Sequence, residues 1–367
     1  MSEQLAPADE QLLRDTVHKV FGELFGSSDV RRLMATDTGW DPATWRRLVS
    51  QLGVAGIAVD EKFGGSGLSA REAGLVFEEA GRCLGATPLL AVTGLAIPLL
   101  QAAGDDVACE RWLPGLCDGT VIATVVYADA DGRFGPDVVG VRAEGECLFG
   151  TGGYVADAAI ADVLFTPART ADGIAIFAVE RNTPGVTVTP LVTLDQTRKQ
   201  AHVAFDGACG MRLSCSGSTG CALEQAYATS CALLACELVG VAAQCLDMTA
   251  EYARSRVQFG RPIGSFQAVK QKLAELLIRV ESARSAASAA VEAAGTPDLW
   301  WTASLAKAYC SEAAMRAAED AIQLHGGIGF TWEHDAHLYF KRARAGEEML
   351  GTAREHYDRV GEYLGQI

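Results

Sequence analysis

The sequence is poor in the patterns that announce the commonest small-site chemistries. Its eleven cysteines include no C-x-x-C pair. That excludes a zinc-ribbon spacing or a compact disulfide framework and suggests small buried hydrophobes in a reducing compartment. No G-x-G-x-x-G and no G-x-x-x-x-G-K-[ST] occurs, so neither dinucleotide nor P-loop fingerprint applies. Basic residues are few: 31 Lys and Arg stand against 46 Asp and Glu, a formal net charge of −15. Such a chain repels phosphate backbones, which argues against general nucleic-acid binding. Any polyanionic ligand must then be held by a few local cations. The opening Met-Ser-Glu-Gln-Leu shows no basic segment followed by an apolar one. The stretch Thr87 to Ala102, read as the longest apolar run, carries Pro88 and Pro98 and is too short for a bilayer. The expectation is a cytoplasmic protein with no membrane span.

With 49% hydrophobic and 21% charged residues over 367 positions, the chain can bury a large core. Length alone suggests roughly two to three domain-equivalents. Three textures divide it. Residues 1–118 read as a helical domain: Leu12, Leu13, Val17, Val20, Phe21 and Leu24 recur at helical spacing, as do Trp45, Leu48, Val49 and Leu52. Gly53 is a stop signal, and Ser69 with Glu72 fits a capping box. Residues 119–215 hold short apolar runs at 121–126, 138–141, 154–155, 163–165, 174–179, 186–188 and 202–205, parted by Gly, Pro and Asp clusters. This spacing predicts an antiparallel β-barrel or sandwich. Residues 216–367 return to long helical stripes over 223–255, 266–280, 303–324 and 338–363, as in a four-helix bundle. The fold class is α+β: helical domain, β domain, helical bundle.

Two bends stand out in the last third. Arg254, Arg256 and Arg261 crowd a segment broken by Gly260, Pro262 and Gly264, and Ser265 is placed to cap the next helix. Guanidinium groups beside a helix start suit a diphosphate; an ordinary capped loop with solvated arginines fits the same residues. Gln323-Leu-His-Gly-Gly-Ile-Gly-Phe follows a helix, and Gly326 would serve equally as a C-cap or as a point of close approach to a ligand. His334 and His337 are spaced i, i+3, and with His325 could suggest a metal site, although a polar capping cluster is the better reading.

Arg256-Val-Gln-Phe-Gly-Arg-Pro-Ile-Gly-Ser-Phe-Gln followed by Gln323-Leu-His-Gly-Gly-Ile-Gly-Phe resembles the acyl-CoA dehydrogenase family. The turn Phe63-Gly-Gly-Ser-Gly-Leu-Ser resembles its N-terminal glycine loop, and the α–β–α order matches along essentially the whole chain. The resemblance implies non-covalent FAD in an oligomer, an acyl-CoA substrate and an electron-transfer flavoprotein as acceptor. It implies Arg256 and Gln258 near the FAD diphosphate, Phe259, Phe266 and Gln267 along the adenosine, and Gln323, Gly326 and Gly327 against the FAD of a neighbouring subunit. Tyr154 takes the place of the family's flavin-packing tryptophan.

The chain departs from the family in three places. Val125 to Gly135 replaces the Thr-Glu-Pro-x-x-Gly-Ser-Asp segment, and Ala156 replaces a threonine beside the flavin. The family's catalytic glutamate falls at Leu350, and the alternative base site falls near Ser230; neither holds a carboxylate. Nearby carboxylates are Glu347, Glu348 and Glu237; each reads better as a solvated helix-face charge or a buried ion pair, and Glu348, two residues from the family position, is the nearest candidate for a displaced base. These departures resemble the non-base-bearing subunit of actinobacterial α2β2 acyl-CoA dehydrogenases that act on CoA esters of steroid side chains. The readings left open are such a subunit, a homotetramer using Glu348, and a non-catalytic FAD/CoA-binding or scaffold subunit.

Overall fold

A computed structural model describes residues 6–365. The chain opens with helices α1 (Pro7–Leu24), α2 (Ser27–Met34), α3 (Pro42–Leu52) and α4 (Ala70–Arg82). The caps follow from side-chain chemistry. The Asp41 carboxylate accepts from the Ala43 and Thr44 amides ahead of Pro42, and Gly53 ends α3 in the left-handed region at φ 62°. Ser69 and Glu72 form the expected capping box on α4. The apolar run after Thr87 continues as a π-helical stretch, Leu90–Ala96, into α5 (Ile97–Ala103), and α6 (Asp106–Cys117) closes this helical layer.

The strands are β1 (Ala123–Val125), β2 (Val141–Glu144), β3 (Cys147–Ala156), β4 (Val163–Thr170), β5 (Gly173–Glu180), β6 (Val186–Pro190), β7 (Gln200–Cys209) and β8 (Met211–Arg212). They form one eight-stranded sheet in the order β6-β7-β3-β2-β4-β5-β8, with β1 beside β4. Most pairings are antiparallel, but β1 and β2 both lie parallel to β4, which alternation alone did not reveal. The apolar run at 138–141 supplies only Val141 to a strand.

The rest is helical: α7 (Thr219–Ser255), a two-residue hairpin β9 (Val257–Gln258) and β10 (Arg261–Pro262), then α8 (Gln267–Glu292), α9 (Leu299–His325), α10 (Ala336–Glu348) and α11 (Ala353–Leu364). Two expectations change here. Ser265 sits in a short 3₁₀ turn and does not cap α8; the cap position belongs to Phe266, with extended backbone, and no side chain bonds there. The last stripe is two helices, because Leu350 and Gly351 adopt φ 58° and 94° and Thr352 with Glu355 starts a new capping box. α7 is long and apolar enough to cross a membrane, with mean hydropathy 1.6, and 83% of that window is buried inside the protein. Burial in the bundle therefore accounts for its composition. Gly81 of α4 and Gly240 of α7 each face a carbonyl of the other helix so closely that a Cβ would overlap it. The segment between β6 and β7 is tied to α7 and α10 by side-chain bonds, and two clefts open beside it.

Candidate functional site

Two clefts meet at Leu194, in the segment between β6 and β7. One, of about 550 Å³, is lined by Gly132, Tyr154, Leu194, Arg344, Glu348 and Met349 among others. The other, of about 430 Å³, is lined by Leu194, Ile322, Gln323, Phe330, Trp332 and Phe340 among others. The first joins the sheet to α10, and the second runs to the C-terminal end of α9.

Tyr154 stands on β3 at φ 50°, is 42% exposed, and meets the His202 ring edge-on at 5.8 Å. A Cβ at Gly132 would meet the Tyr154 ring at 2.6 Å, so glycine is required there. The loop carrying Gly132 is fastened by Asp129, whose carboxylate accepts from the Asp131 and Arg133 amides and the Arg133 side chain. Burial pushes this carboxyl up, but those donors outweigh it and hold it below the usual carboxylate range.

The arginine bend is the β9–β10 hairpin. Its tip, Phe259-Gly260, takes left-handed backbone at φ 54° and 74°. Phe259 is 91% exposed and packs edge-on to Phe266 at 6.1 Å, while the Arg261 guanidinium lies 4.2 Å from the Phe266 ring centre. Arg256, Gln258 and Gln267 are exposed; Arg254 pairs with Glu251 at 3.3 Å. Gln323 accepts from Lys272 at 3.0 Å, and Gly326 and Gly327 are exposed just beyond the end of α9. Tyr252 stacks on His325 at 4.3 Å, so the two bends lie at the same end of the bundle.

The histidines do structural work. The His325 ring donates to the Ala321 carbonyl at 2.7 Å, and the His334 ring accepts the Ala336 amide at 3.1 Å. Among the described residues no group of three His, Cys, Asp or Glu could hold a metal ion.

Leu350 is 1% exposed, and its carbonyl accepts from the Tyr227 hydroxyl and from His356 Nε2 at 2.8 Å. Burial, with Lys307 and Arg359 nearby, lowers the His356 pKa to about 3, so the ring is neutral and can donate one N–H. Lys307, fully buried, donates to Ser311 Oγ, Glu347 O and Gly351 O at 2.9–3.2 Å. The segment is therefore locked from three sides. Ser230 is buried and donates to Ala226 O at 2.8 Å. Tyr127 and Tyr227 fill the interior beside it in a T-shaped contact at 5.5 Å.

The carboxylates near the base position are engaged. Glu348 is half exposed and pairs with Arg344 at 2.7 Å, and Glu347 pairs with the same guanidinium. Glu237 is buried in an ion network: Arg342 bonds Asp195 at 2.7 Å, Glu237 at 3.0 Å and Thr197, while Arg198 bonds the other oxygen of Glu237. Sequence reading named Glu237 but none of the other members, Arg342, Arg198, Asp195 and Thr197. The available signal for the cluster was Arg342 lying on the buried α10 face with Leu338 and Tyr339.

Asp157 lies beside the network. Burial raises its carboxyl pKa to about 7 despite Arg198 and Arg342, and Glu237 adds to the rise. A carboxyl raised from 3.8 contributes stability at low pH that is lost as pH climbs toward 7. Asp157→Asn is therefore expected to stabilise the chain above pH 7 by on the order of 2–4 kcal/mol, with the gain shrinking toward pH 4. Urea unfolding at the two pH values checks this; an equal effect at both would contradict it.

The layered fold, the paired bends and the sequence relationships agree. Residues 7–120 match the model of the acyl-CoA dehydrogenase N-terminal domain and residues 223–364 that of the C-terminal domain. The chain belongs to the acyl-CoA dehydrogenase family, a class of oxidoreductases that is FAD-dependent in general. Acyl-CoA dehydrogenase IpdE2 of Mycobacterium tuberculosis is 37% identical over 95% of both chains. A chain of the ChsE4-ChsE5 complex from Mycobacterium tuberculosis superposes with a TM-score of 0.89 at 30% identity, covering 99% of each chain. A variant of the Tcur3481-Tcur3483 steroid ACAD does so at 0.89 and 27%, covering 98% of each.

Proposed function

We propose that this chain is the flavin-holding, base-lacking subunit of a heterotetrameric acyl-CoA dehydrogenase acting on a steroid side chain or another bulky acyl-CoA. The observation that carries the reading is Leu350. An aliphatic side chain occupies the base position, and the backbone there is locked by Tyr227, His356 and Lys307. Leucine cannot accept the α-proton, and the three nearby carboxylates are held by arginines. Glu237 is locked in the buried ion network, and Glu347 and Glu348 sit in pairs with Arg344, so none has the apolar, cation-free pocket that raises a general base. The base then comes from a homologous partner subunit.

The residues present fit FAD. Arg256 and Gln258 offer exposed donors for the diphosphate, and Phe259, Phe266 and Gln267 form an aromatic and amide surface for the adenosine. Gln323, Gly326 and Gly327 present an amide and open backbone to the flavin dinucleotide of a neighbouring subunit. Tyr154 offers a ring face at the sheet side of the 550 Å³ cleft. FAD held by these residues would supply a hydride acceptor for the substrate β-carbon and a route for electrons to an electron-transfer flavoprotein. This chain's part is to grip the dinucleotide, keep water from the ring with Tyr154, and hold the cleft wall rigid through the Arg342 network.

Co-expression with a homologous partner tests this. The chain alone is expected to purify with little flavin, and the complex to purify yellow and to reduce a dye with a steroid side-chain CoA ester. Arg256→Ala in the complex should lower bound flavin at least about tenfold in affinity, since a charge-assisted contact contributes about 1.5–3 kcal/mol. Glu348→Gln should leave turnover unchanged. A yellow homotetramer that turns over acyl-CoA and dies with Glu348→Gln would establish the displaced-base reading instead.

A further inference from the structure

We propose that Cys147 and Cys209 form a thiol-oxidation site that closes to a reversible cross-strand disulfide when a low-molecular-weight disulfide is supplied. The two residues face each other in the β3–β7 register, and their sulfurs are 3.2 Å apart. The Gly210 amide donates to the Glu146 carbonyl at 2.9 Å, just outside the pair. That places the cysteines at a non-hydrogen-bonded position of the antiparallel ladder. There the Cα atoms of opposed residues stand about 4.5 Å apart, with side chains closest, and a disulfide spans about 4.4–6.8 Å. Bond formation therefore needs side-chain rotation and little backbone movement.

Accessibility agrees. Cys209 is exposed and Cys147 half-buried, whereas Cys231, Cys236, Cys245 and Cys310 are buried in the bundle. Among the described residues, this is the one pair of thiols in hydrogen-bond contact. The order of attack follows from the surroundings. Cys209 is the exposed sulfur and Cys147 the half-buried one, so a reagent in solution reaches Cys209 first.

The chemistry balances as thiol–disulfide exchange. The Cys209 thiolate attacks one sulfur of the small disulfide, expels one thiolate and becomes a mixed disulfide. Cys147 then loses its proton and attacks the Cys209 sulfur, expelling the second thiolate. The S–S bond of the reagent breaks, one between Cys147 and Cys209 forms, and two electrons pass to the reagent, which leaves as two thiols. The new bond closes a loop between residues 62 apart and constrains the unfolded chain. Tyr154 lies seven residues along β3, about 23 Å away, so flavin loading should not change.

The test uses the full reduced chain, oxidised glutathione near pH 8, and peptide mass spectrometry without reduction. The expected product is one disulfide joining the peptides that carry Cys147 and Cys209, reversed by dithiothreitol. The oxidised chain should melt a few degrees above the reduced one, and Cys147→Ser should stop at a stable glutathione adduct on Cys209. A stable adduct on Cys209 in the unsubstituted chain would overturn the proposal. So would a disulfide through Cys215 or Cys221, or no reaction while Cys209 still alkylates. None of these outcomes bears on the flavin reading.

Discussion

Arg342→Met should lower the unfolding free energy by about 3–5 kcal/mol, read from denaturant midpoints at constant m. The guanidinium is 1% exposed and pairs with Asp195 and Glu237, which are 2% and 4% exposed. Its removal leaves two buried carboxylates facing each other, with Arg198 the nearest cation on Glu237. Burial pushes the Asp195 carboxyl up, yet Arg342, Thr197 and Arg198 together hold it below the ordinary range. Arg342→Lys should recover only part of the loss, because one ammonium cannot reach three acceptors arranged around a planar fork. An exposed pair gives the contrast: Arg47 and Glu23, both about half exposed at 3.3 Å, should cost under about 1 kcal/mol when broken. A loss below about 1 kcal/mol at Arg342 would show that the network does not hold the segment between β6 and β7 in place. Because Asp195 and Thr197 precede β7 and Glu237 lies on α7, the same variant should loosen the cleft wall at Leu194.

What could be read from the sequence follows the range of the forces involved. The long helices were legible because their apolar stripes repeat every 3.6 residues, and α7, α8 and α9 appear where the stripes predicted. Capping is equally local, which is why Ser69 with Glu72 behaved as expected. Ser265 misled because a serine before a helix is only a signal; the chain enters α8 through an extended Phe266, and the Ser265 hydroxyl is buried without a partner. The break at Leu350 was hidden because leucine seldom takes positive φ, and what stabilises it there comes from Tyr227, Lys307 and His356, far off in sequence or on the next helix. The parallel pairing of β1 and β2 with β4 is likewise a tertiary choice that alternation does not encode. At the candidate site the bends were legible as motifs. The ion network was not, since its members lie up to 147 residues apart.

The second large effect is expected on the alkaline side. Cys231 and Cys310 are pushed up to about 12 by burial, and burial also raises Cys236 and Cys245. Unfolded, such thiols ionise near pH 9, so between pH 9 and about 12 the unfolded chain binds fewer protons than the folded one. Stability contributed by a raised thiol is complete below pH 9 and is lost as pH rises, by about 1.4 kcal/mol per pH unit for each group. Lys307 acts in the opposite sense. Burial lowers its pKa to about 8 from 10.5, so the unfolded chain binds more protons and stability rises across that window. Among these five groups the lysine offsets one thiol, leaving a fall of about 4 kcal/mol per pH unit between pH 9 and 10.5, and Cys83 and Cys117, pushed up to about 12 and about 11 by burial, act in the same direction. A native state worth about 5–15 kcal/mol cannot absorb that for long, and cooperative loss of helix by about pH 11 is the expected outcome. Circular dichroism followed together with thiolate absorbance, under reductant, checks it. The two signals should change together, and Cys231→Ala with Cys245→Ala should flatten the slope by about 1.4 kcal/mol per pH unit for each thiol removed. Thiolate absorbance rising near pH 9 with the helices intact would mean that these cysteines ionise in place, and the buried-thiol account of the alkaline limit would be wrong.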